Sequence, residues 1–500
     1  MQANNTIVVI LPGLVVAAAA ILVFLVDLFS ARKGVLAWIA AAGLIAAAAV
    51  ALGQWVRVDA GLQWDRRQPE LGFSGMVGLD RYAAFCVVLF AVIGVLAIML
   101  SDAYLARRKA ARGEFYGLLL LVVTGMIGMA ISTDVIAFFV AFELMSLPTY
   151  ILAGYLWRDA RSGEASIKYF VTGAFSSAIL AFGLALVYAA TGQTSYKGIA
   201  AGLAGLPADA RGLLVVAFVL VVTGFGFKIS AVPFHNWAPD VYEGAPTPVT
   251  AFMSTGVKAG AFVAFAKLFV LAGGVEWATW THTMTILAVL TMVIGNVLAL
   301  PQRNLKRMLA YSSVAHAGYL TLGLIAAGKA GEPLGVSAIL LYLTAYAFMN
   351  LGAFGVLIWI RSRRKYGYTL DEVAGLGRSM PWPSLLMALL MLSLAGIPPT
   401  AGFWGKFYLF TAVVRADLTW LAIVAVVMSS VSAFYYLRVV WYLYFREAAE
   451  GMEVEAEPHT SQLGVGTAVS LAALGVLAVG LFPEPLLRAA ERAVQLIAGG

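Results

Sequence analysis

The sequence predicts an all-α polytopic membrane protein of about fourteen transmembrane helices, with two inverted five-helix repeats and two discontinuous helices. Three observations carry that prediction. Of 500 residues, 62% are hydrophobic and 12% charged, and the mean hydropathy of +0.89 lies far outside soluble globular usage. Apolar runs of about 20 residues follow one another along the chain. Two of those runs are interrupted by prolines that stand next to charged residues.

The runs fall near 7–29, 35–55, 77–101, 114–131, 134–157, 166–190, 211–243, 246–273, 280–300, 305–327, 334–360, 381–413, 417–445 and 463–482. The first has no basic segment ahead of it and no small-residue cleavage site, so it reads as a retained span and not as a cleaved signal. The seventh contains Pro233, with Pro239, Pro246 and Pro248 beyond it. Proline removes a backbone donor and clashes with the preceding turn, which breaks or kinks a helix. The twelfth contains Pro398 and Pro399 flanked by glycines. Both are long enough to be two half-helices, and such helices let water or ions in where structural repeats meet. They lie five spans apart, which divides the chain into a three-helix segment 1–110, a first repeat 111–275, a second repeat 276–446, and an acidic loop with a last helix, 447–500.

Short loops fix the expected orientation. One set carries Arg32 and Lys33, Arg107, Arg108, Lys109 and Arg112, Arg158 and Arg161, Arg303, Lys306 and Arg307, Arg361, Arg363, Arg364, Lys365 and Arg378, and Arg446. The opposite set has Arg57, Arg66, Arg67 and Arg81 early, then only Lys197, Arg211, Lys329, Arg415, Arg488 and Arg492. The richer set is cytoplasmic, so both termini face outward. A net charge of +7 scattered over loops excludes a nucleic-acid patch. Glu447, Glu450, Glu453, Glu455 and Glu457 read as a solvated loop. Cys86 is the only cysteine, which excludes an internal disulfide and iron–sulfur ligation by cysteine alone. No metal or cofactor ligand set and no P-loop is apparent.

Charges inside the spans are the candidate site, because an ionisable group in hydrocarbon usually marks a proton or ion path. Glu143, Lys228, Lys258 and Lys406 qualify. Burial works against a lone ionised carboxylate, whereas a neighbouring ammonium favours it, so Lys228 is the expected partner of Glu143. Two unit charges about 4 Å apart attract by roughly 4 kcal/mol at an effective dielectric near 20. The pair is either a switch or a static tie between helices. Lys258 has no nearby acid on its span and sits about twelve residues, roughly 18 Å, from the span start, too deep for easy snorkelling. Lys267, nine residues on, reads as a snorkelling residue, and Lys168 and Arg438 as anchors. Ser312, His316 and Tyr319 share one helical face, which is either a hydrated relay or a buried histidine with satisfied hydrogen bonds. His235, Asp240 and Glu243 after the Pro233 break could cap half-helices, bind water or face a neighbouring subunit. His282 and His459 receive no role.

The segments Phe142-Glu143-Leu-Met-Ser-Leu-Pro-Thr-Tyr150, Gly226-Phe-Lys228-Ile-Ser-Ala-Val-Pro-Phe-His through Pro248, Ser-Thr-Gly-Val-Lys258-Ala-Gly-Ala and Ala310-Tyr-Ser-Ser-Val-Ala-His316-Ala-Gly-Tyr319 resemble the antiporter-like proton-pumping membrane subunits of respiratory complex I, the NADH-quinone oxidoreductase. The match runs from about residue 110 to 412. Lys406 favours the N or L type over the M type, and the chain's end soon after the fourteenth span favours the N type. The resemblance implies a proton-translocating subunit, part of an NADH:quinone oxidoreductase translocase, without a redox centre of its own. It implies a hetero-oligomer with subunits of the M, K and L types in the bilayer of a bacterial plasma membrane. NADH, FMN, iron–sulfur clusters and quinone would belong to the whole assembly. Protons would enter near Lys228, pass to Lys258, cross by His316, Ser312, Tyr319 and water to Lys406, and leave. The same resemblance reaches Mrp-type cation/proton antiporters and membrane-bound hydrogenases, the alternative reading.

Overall fold

A computed structural model describes residues 2–30, 33–59, 70–206, 211–272, 277–330, 333–363, 367–447 and 463–498. Arg32, Arg66, Arg67, Arg364, Lys365, Glu450, Glu453, Glu455, Glu457 and His459 lie outside the described residues, and with them most of the expected acidic loop.

The chain opens with α1 (Gln2–Phe29) and α2 (Gly34–Asp59). A short antiparallel hairpin, β1 (Glu70–Gly72) and β2 (Val77–Leu79), precedes α3 (Arg81–Arg107). Then come α4 (Gly113–Ile131), α5 (Val135–Ala153), α6 (Ala160–Thr191), the short α7 (Tyr196–Ala204), α8 (Arg211–Ile229), α9 (Trp237–Gly244), α10 (Thr247–Phe252) and α11 (Lys258–Ala272). The second half holds α12 (Trp277–Ala299), α13 (Leu305–Ala330), α14 (Pro333–Arg363), α15 (Leu376–Ser379), α16 (Pro381–Ala395), α17 (Ala401–Arg415), α18 (Thr419–Phe445), α19 (Leu463–Leu481) and α20 (Pro483–Ala498).

Among the described residues, 13 helical segments are long and apolar enough to cross a bilayer. The shorter apolar α16, continued by α17 after the Pro398-Pro399 interruption, supplies the remaining expected span. Helix starts follow local chemistry. Asp80 accepts from the Ala83 amide at 2.7 Å, Asp134 from Ile136 at 2.8 Å and Ser195 from Gly198 at 3.1 Å, each satisfying an amide that the first turn leaves free. Residues 77–79, expected inside the third span, form β2 instead, and α3 starts only after its Asp80 cap.

The core runs the length of the bundle. The apolar window of α13 is wholly buried, whereas those of α1, α2 and α18 are only one-third buried, so α13 is central and the latter line the lipid-facing rim. Both expected interruptions are present. α8 ends at Ile229 and α9 begins at Trp237; the Ala231 amide returns to the Gly226 carbonyl at 2.7 Å, and the Val232 amide is held by Thr291 Oγ1 of α12 at 3.0 Å. α16 ends at Ala395 with Gly396 at φ +89°, a conformation that glycine adopts without cost. A third irregularity was not legible in the pattern: Met253–Val257 is a π-helical turn directly before Lys258, a device often found at functional sites.

Candidate functional site: a buried lysine and hydroxyl series

Lys228 lies in the last turn of α8, 2% exposed. Its Nζ donates to Ser146 Oγ at 2.8 Å and stands 5.1, 5.2 and 5.6 Å from the ring centres of Phe142, Tyr150 and Tyr169. Such aromatic faces stabilise a cation by about 0.5–2 kcal/mol each. Trp237, the first residue of α9, closes the box by stacking on Tyr169 at 4.5 Å and donating to the Phe227 carbonyl at 3.0 Å. The break in the helix therefore also builds the cation's surroundings.

The close ion pair expected between Glu143 and Lys228 is not formed. No salt bridge within 4.0 Å joins them among the described residues, and Glu143 Oε1 is buried without a hydrogen-bond partner. Ser146, one turn along α5 from Glu143, takes the ammonium instead. Glu143 itself is half-buried.

Lys258 opens α11 and is 1% exposed. Its Nζ donates to the Ser313 carbonyl at 2.6 Å and to Ser313 Oγ at 2.5 Å, which joins the π-turn region to α13. Beside it, Asn350 of α14 donates to Ser254 Oγ at 2.7 Å and Tyr346 at 3.1 Å, while its Oδ1 is buried and unpartnered. The described hydrogen bonds do not link Lys228 to Lys258.

His316 is buried on α13 between two tyrosines. Its Nδ1 is hydrogen-bonded to the Tyr342 hydroxyl and its Nε2 to the Tyr436 hydroxyl at 2.9 Å. Tyr436 is in turn hydrogen-bonded to Ser312. Tyr319 accepts from Asn296 Nδ2 at 3.2 Å, and Asn296 Oδ1 accepts from Tyr435 at 2.9 Å. The ring of Tyr319 faces Lys406, whose Nζ is 5.3 Å from its centre.

Lys406 sits on α17, 4% exposed. Its Nζ donates to the carbonyls of Leu394 and Ala395 at 3.0 and 2.9 Å and to Ser429 Oγ at 2.9 Å. Those carbonyls are the end of α16, left free by the break and carrying the negative end of that helix dipole. Gly405 lets α17 pack closely on α14, since a Cβ there would lie 2.1 Å from the Tyr342 ring.

The structure thus brings Lys258, Ser312, His316, Tyr319 and Lys406 together around α13, and leaves Lys228 and Glu143 in a separate cluster. Ser146, Ser313, Ser429, Asn296, Asn350, Tyr342, Tyr346 and Tyr436 were missed by sequence reasoning. Only the spacing of Tyr342, Tyr346 and Asn350 along one face of α14 could have flagged any of them. Lys267 does not snorkel. It is 1% exposed, 3.3 Å from Asp80 and donates to the Ala130 carbonyl at 2.8 Å, because α3 and α4 cover that end of α11. Lys168 pairs with Glu164 at 2.7 Å and Asp240 at 2.9 Å, and Arg438 binds the Leu300 and Gln302 carbonyls at the end of α12. Asp240 and Glu243 both bind Arg307, at 2.8 and 3.1 Å, so they tie α9 to α13. Pro233, Pro398 and Pro399 all stand in the two interruptions. Among the described residues no group of three or more His, Cys, Asp or Glu side chains converges on a metal site.

The family model "NADH:quinone oxidoreductase/Mrp antiporter, TM" matches residues 132–432. NADH-quinone oxidoreductase subunit N of Trichlorobacter lovleyi is 42% identical over 98% of this chain and 97% of its own length. Subunit N 2 of Roseiflexus castenholzii is 41% identical over 95% and 94%. A chain of respiratory complex I from Thermus thermophilus superposes with a TM-score of 0.76 at 32% identity, covering 96% of this chain and 100% of that one. A chain of the Mrp complex from Dietzia reaches a TM-score of 0.83 at 22% identity over 100% and 98%, a likeness of fold. The chain belongs to the NADH:quinone oxidoreductase/Mrp antiporter membrane-subunit family, alongside the subunits N of NADH-quinone oxidoreductase.

Proposed function

We propose that this chain is the proton-translocating membrane-arm subunit of a respiratory NADH:quinone oxidoreductase, and that Lys228, Lys258, His316 and Lys406 carry the protons. One observation supports this most: each of these three lysines donates to a serine hydroxyl, Ser146, Ser313 or Ser429, and none of the three has a carboxylate within 4.0 Å among the described residues. A hydroxyl accepts from an ammonium and can turn to donate to a free amine. Each lysine can therefore release and regain a proton without stranding a buried counter-charge, whose cost would be several kcal/mol.

Segment 111–275 serves as the uptake half and 276–446, which contains α13, as the release half. Uptake is at Lys228 from the cytoplasmic face, and both termini lie on the outer face of a bacterial plasma membrane. From Lys258 the proton passes through Ser313 and water near Asn350 to His316, whose two ring nitrogens serve as acceptor and donor. The hydroxyls of Tyr436, Ser312 and Tyr319 lead on to Lys406. Glu143 gates Lys228 by its charge across Ser146. Moving one charge against 100 mV requires about 2.3 kcal/mol. That energy comes from NADH oxidation and quinone reduction in partner subunits, which hold the FMN and iron–sulfur clusters; a single buried Cys86 gives this chain no cluster ligand set. Subunits of the M, K and L types complete the membrane arm.

The test is Lys258→Ala in the assembled complex, reconstituted in proteoliposomes with NADH and quinone. Proton uptake per NADH should fall severalfold while the complex still assembles. Unchanged pumping would sink the relay, and sodium-dependent charge movement abolished by the same change would assign the site to cation exchange.

A further inference from the structure

Outside the lysine series, the described surface carries an apolar groove with a cationic mouth. It encloses about 510 Å³ between α2, α3, α14 and α20. Its walls include Leu52 and Trp55 of α2, Phe85, Val88 and Val92 of α3, and Phe348 of α14. The stretch of α3 from Ala84 to Val92 in this wall spans about 12 Å at 1.5 Å per residue, so the groove descends along the bundle instead of lying flat on it. Leu52 is 54% exposed on a helix whose apolar window is only one-third buried. The groove is open on its α2 side.

α20 closes the top. It is strongly amphipathic, with Ala490, Ala493 and Val494 buried while Arg488, Glu491 and Arg492 are exposed, the pattern of a helix lying in the membrane interface. Arg81 of α3 meets Gln495 there. Arg488 and Arg492, four residues apart on one face, both line the groove mouth, whereas neither Glu484 nor Glu491 does. Glu484 binds Arg488 from the preceding turn, and Arg492 has no acid within 4.0 Å among the described residues. An apolar slot along the bundle topped by two guanidinium groups at headgroup level matches a molecule with an acyl chain below and a phosphate above. Guanidinium binds phosphate oxygens bidentately.

We propose that this groove is a binding site for an anionic phospholipid, one acyl chain lying between α2 and α3 and the phosphate held by Arg488 and Arg492. The site fixes α20 against α3 and α14. An uncharged isoprenoid would gain nothing from the arginines.

The experiment uses the assembled complex in nanodiscs with trace phosphatidylglycerol bearing a photoreactive acyl chain, compared with phosphatidylcholine carrying the same chain. Mass spectrometry of the labelled peptides should show residues 51–55 and 84–92 labelled severalfold more by the phosphatidylglycerol probe, and Arg488→Gln with Arg492→Gln should erase that preference. Val88→Trp, which fills the slot and keeps both arginines, should abolish labelling by either probe at those peptides. Equal labelling by the two lipids overturns the proposal, as does a preference that survives loss of both arginines. Absence of label with the peptides cross-linked to another subunit also overturns it and assigns the groove to a protein partner.

Discussion

Ser313→Ala isolates the chemistry proposed for the lysines, because it deletes one hydroxyl and leaves the second partner of Lys258, the Ser313 carbonyl at 2.6 Å, in place. A hydrogen bond to a charged group contributes about 1.5–3 kcal/mol and one between neutral groups about 0.5–1.5. Removing the hydroxyl thus costs the ammonium roughly 1 kcal/mol more than the free amine, and since 1.4 kcal/mol is tenfold in an equilibrium, the ratio of protonated to free Lys258 should fall about fivefold. NADH-driven proton uptake by membrane vesicles should slow by up to that factor at neutral pH. Lowering the pH on the uptake side by about one unit should restore it, one unit being 1.36 kcal/mol, a recovery that a merely structural defect would not show. Ser313→Thr keeps the hydroxyl and should pump near the unmodified rate. If Ser313→Ala assembles normally and pumps at full rate at every pH, the hydroxyl is not part of the relay.

Other perturbations test the surroundings. Gly405→Ala forces a methyl to within 2.1 Å of the Tyr342 ring; overpacking of this kind costs about 1–3 kcal/mol, so complex yield and detergent thermal stability should drop, with normal melting speaking against the tight approach. Asp80→Asn strands buried Lys267, and loss of one partner of a buried pair costs about 3–5 kcal/mol; Asp80→Asn with Lys267→Met, which keeps a capping side chain on α3, should recover most of the melting temperature, and a double variant no better than the single would refute the pairing. In the loop after α14, Glu372 accepts from the amides of Gly367, Tyr368 and Thr369 at 2.9, 2.7 and 2.9 Å. Burial pushes its carboxyl up, but these backbone bonds prevail and hold it below the ordinary 4.5. Its contribution is therefore complete above about pH 4.5 and is lost as pH falls through the lower folded value. Hydrogen exchange at residues 367–373 should accelerate in acid, and Glu372→Gln should show that faster exchange at neutral pH already.

The spans were legible because bilayer thickness imposes a length and a composition that no other environment demands. Glu143 and the lysines stood out for the same reason, as did the breaks, since proline removes a donor wherever it falls. The exceptions are equally physical. Met253–Val257 widens to a π-turn without a proline or a charge to announce it. Ser146, Ser313 and Ser429 are ordinary members of apolar helices, and what distinguishes them is which lysine arrives from another helix, a property of packing. Lys267 looked like an interfacial residue because only its own span was in view; its counter-ion Asp80 lies 187 positions away, where it doubles as the cap of α3. Helix α20 escaped notice because a window tuned to spans passes over a chain whose apolar residues cover one face only.

Each of the three lysines stands at an irregularity of its helix, and for Lys228 and Lys406 the irregularity builds the lysine's surroundings. Lys228 is followed at once by the α8 break, whose resumption at Trp237 builds its aromatic box. Lys258 follows the π-turn, and its ammonium reaches across to Ser313 on α13. Lys406 reaches back over the Pro398-Pro399 gap to the two carbonyls that the end of α16 leaves free. In the interior of a regular helix in hydrocarbon every carbonyl already accepts from its own backbone, so the Ser313 carbonyl of α13 is shared with Lys258, and the Ser313 hydroxyl completes the ammonium's partners. An ammonium can be kept there by a carboxylate, which would lock the proton in place, or by carbonyls and hydroxyls, which need not. This chain uses the second solution for all three lysines, and a carboxylate for Lys267 alone among its deeply buried lysines on α8, α11 and α17. If that division is functional, placing a carboxylate beside a relay lysine should arrest it: Ser429→Asp, within reach of Lys406, should leave assembly intact and stop proton release, whereas Ser429→Thr should not. Continued pumping by Ser429→Asp at the unmodified rate would mean that the neutral partners of these lysines are incidental.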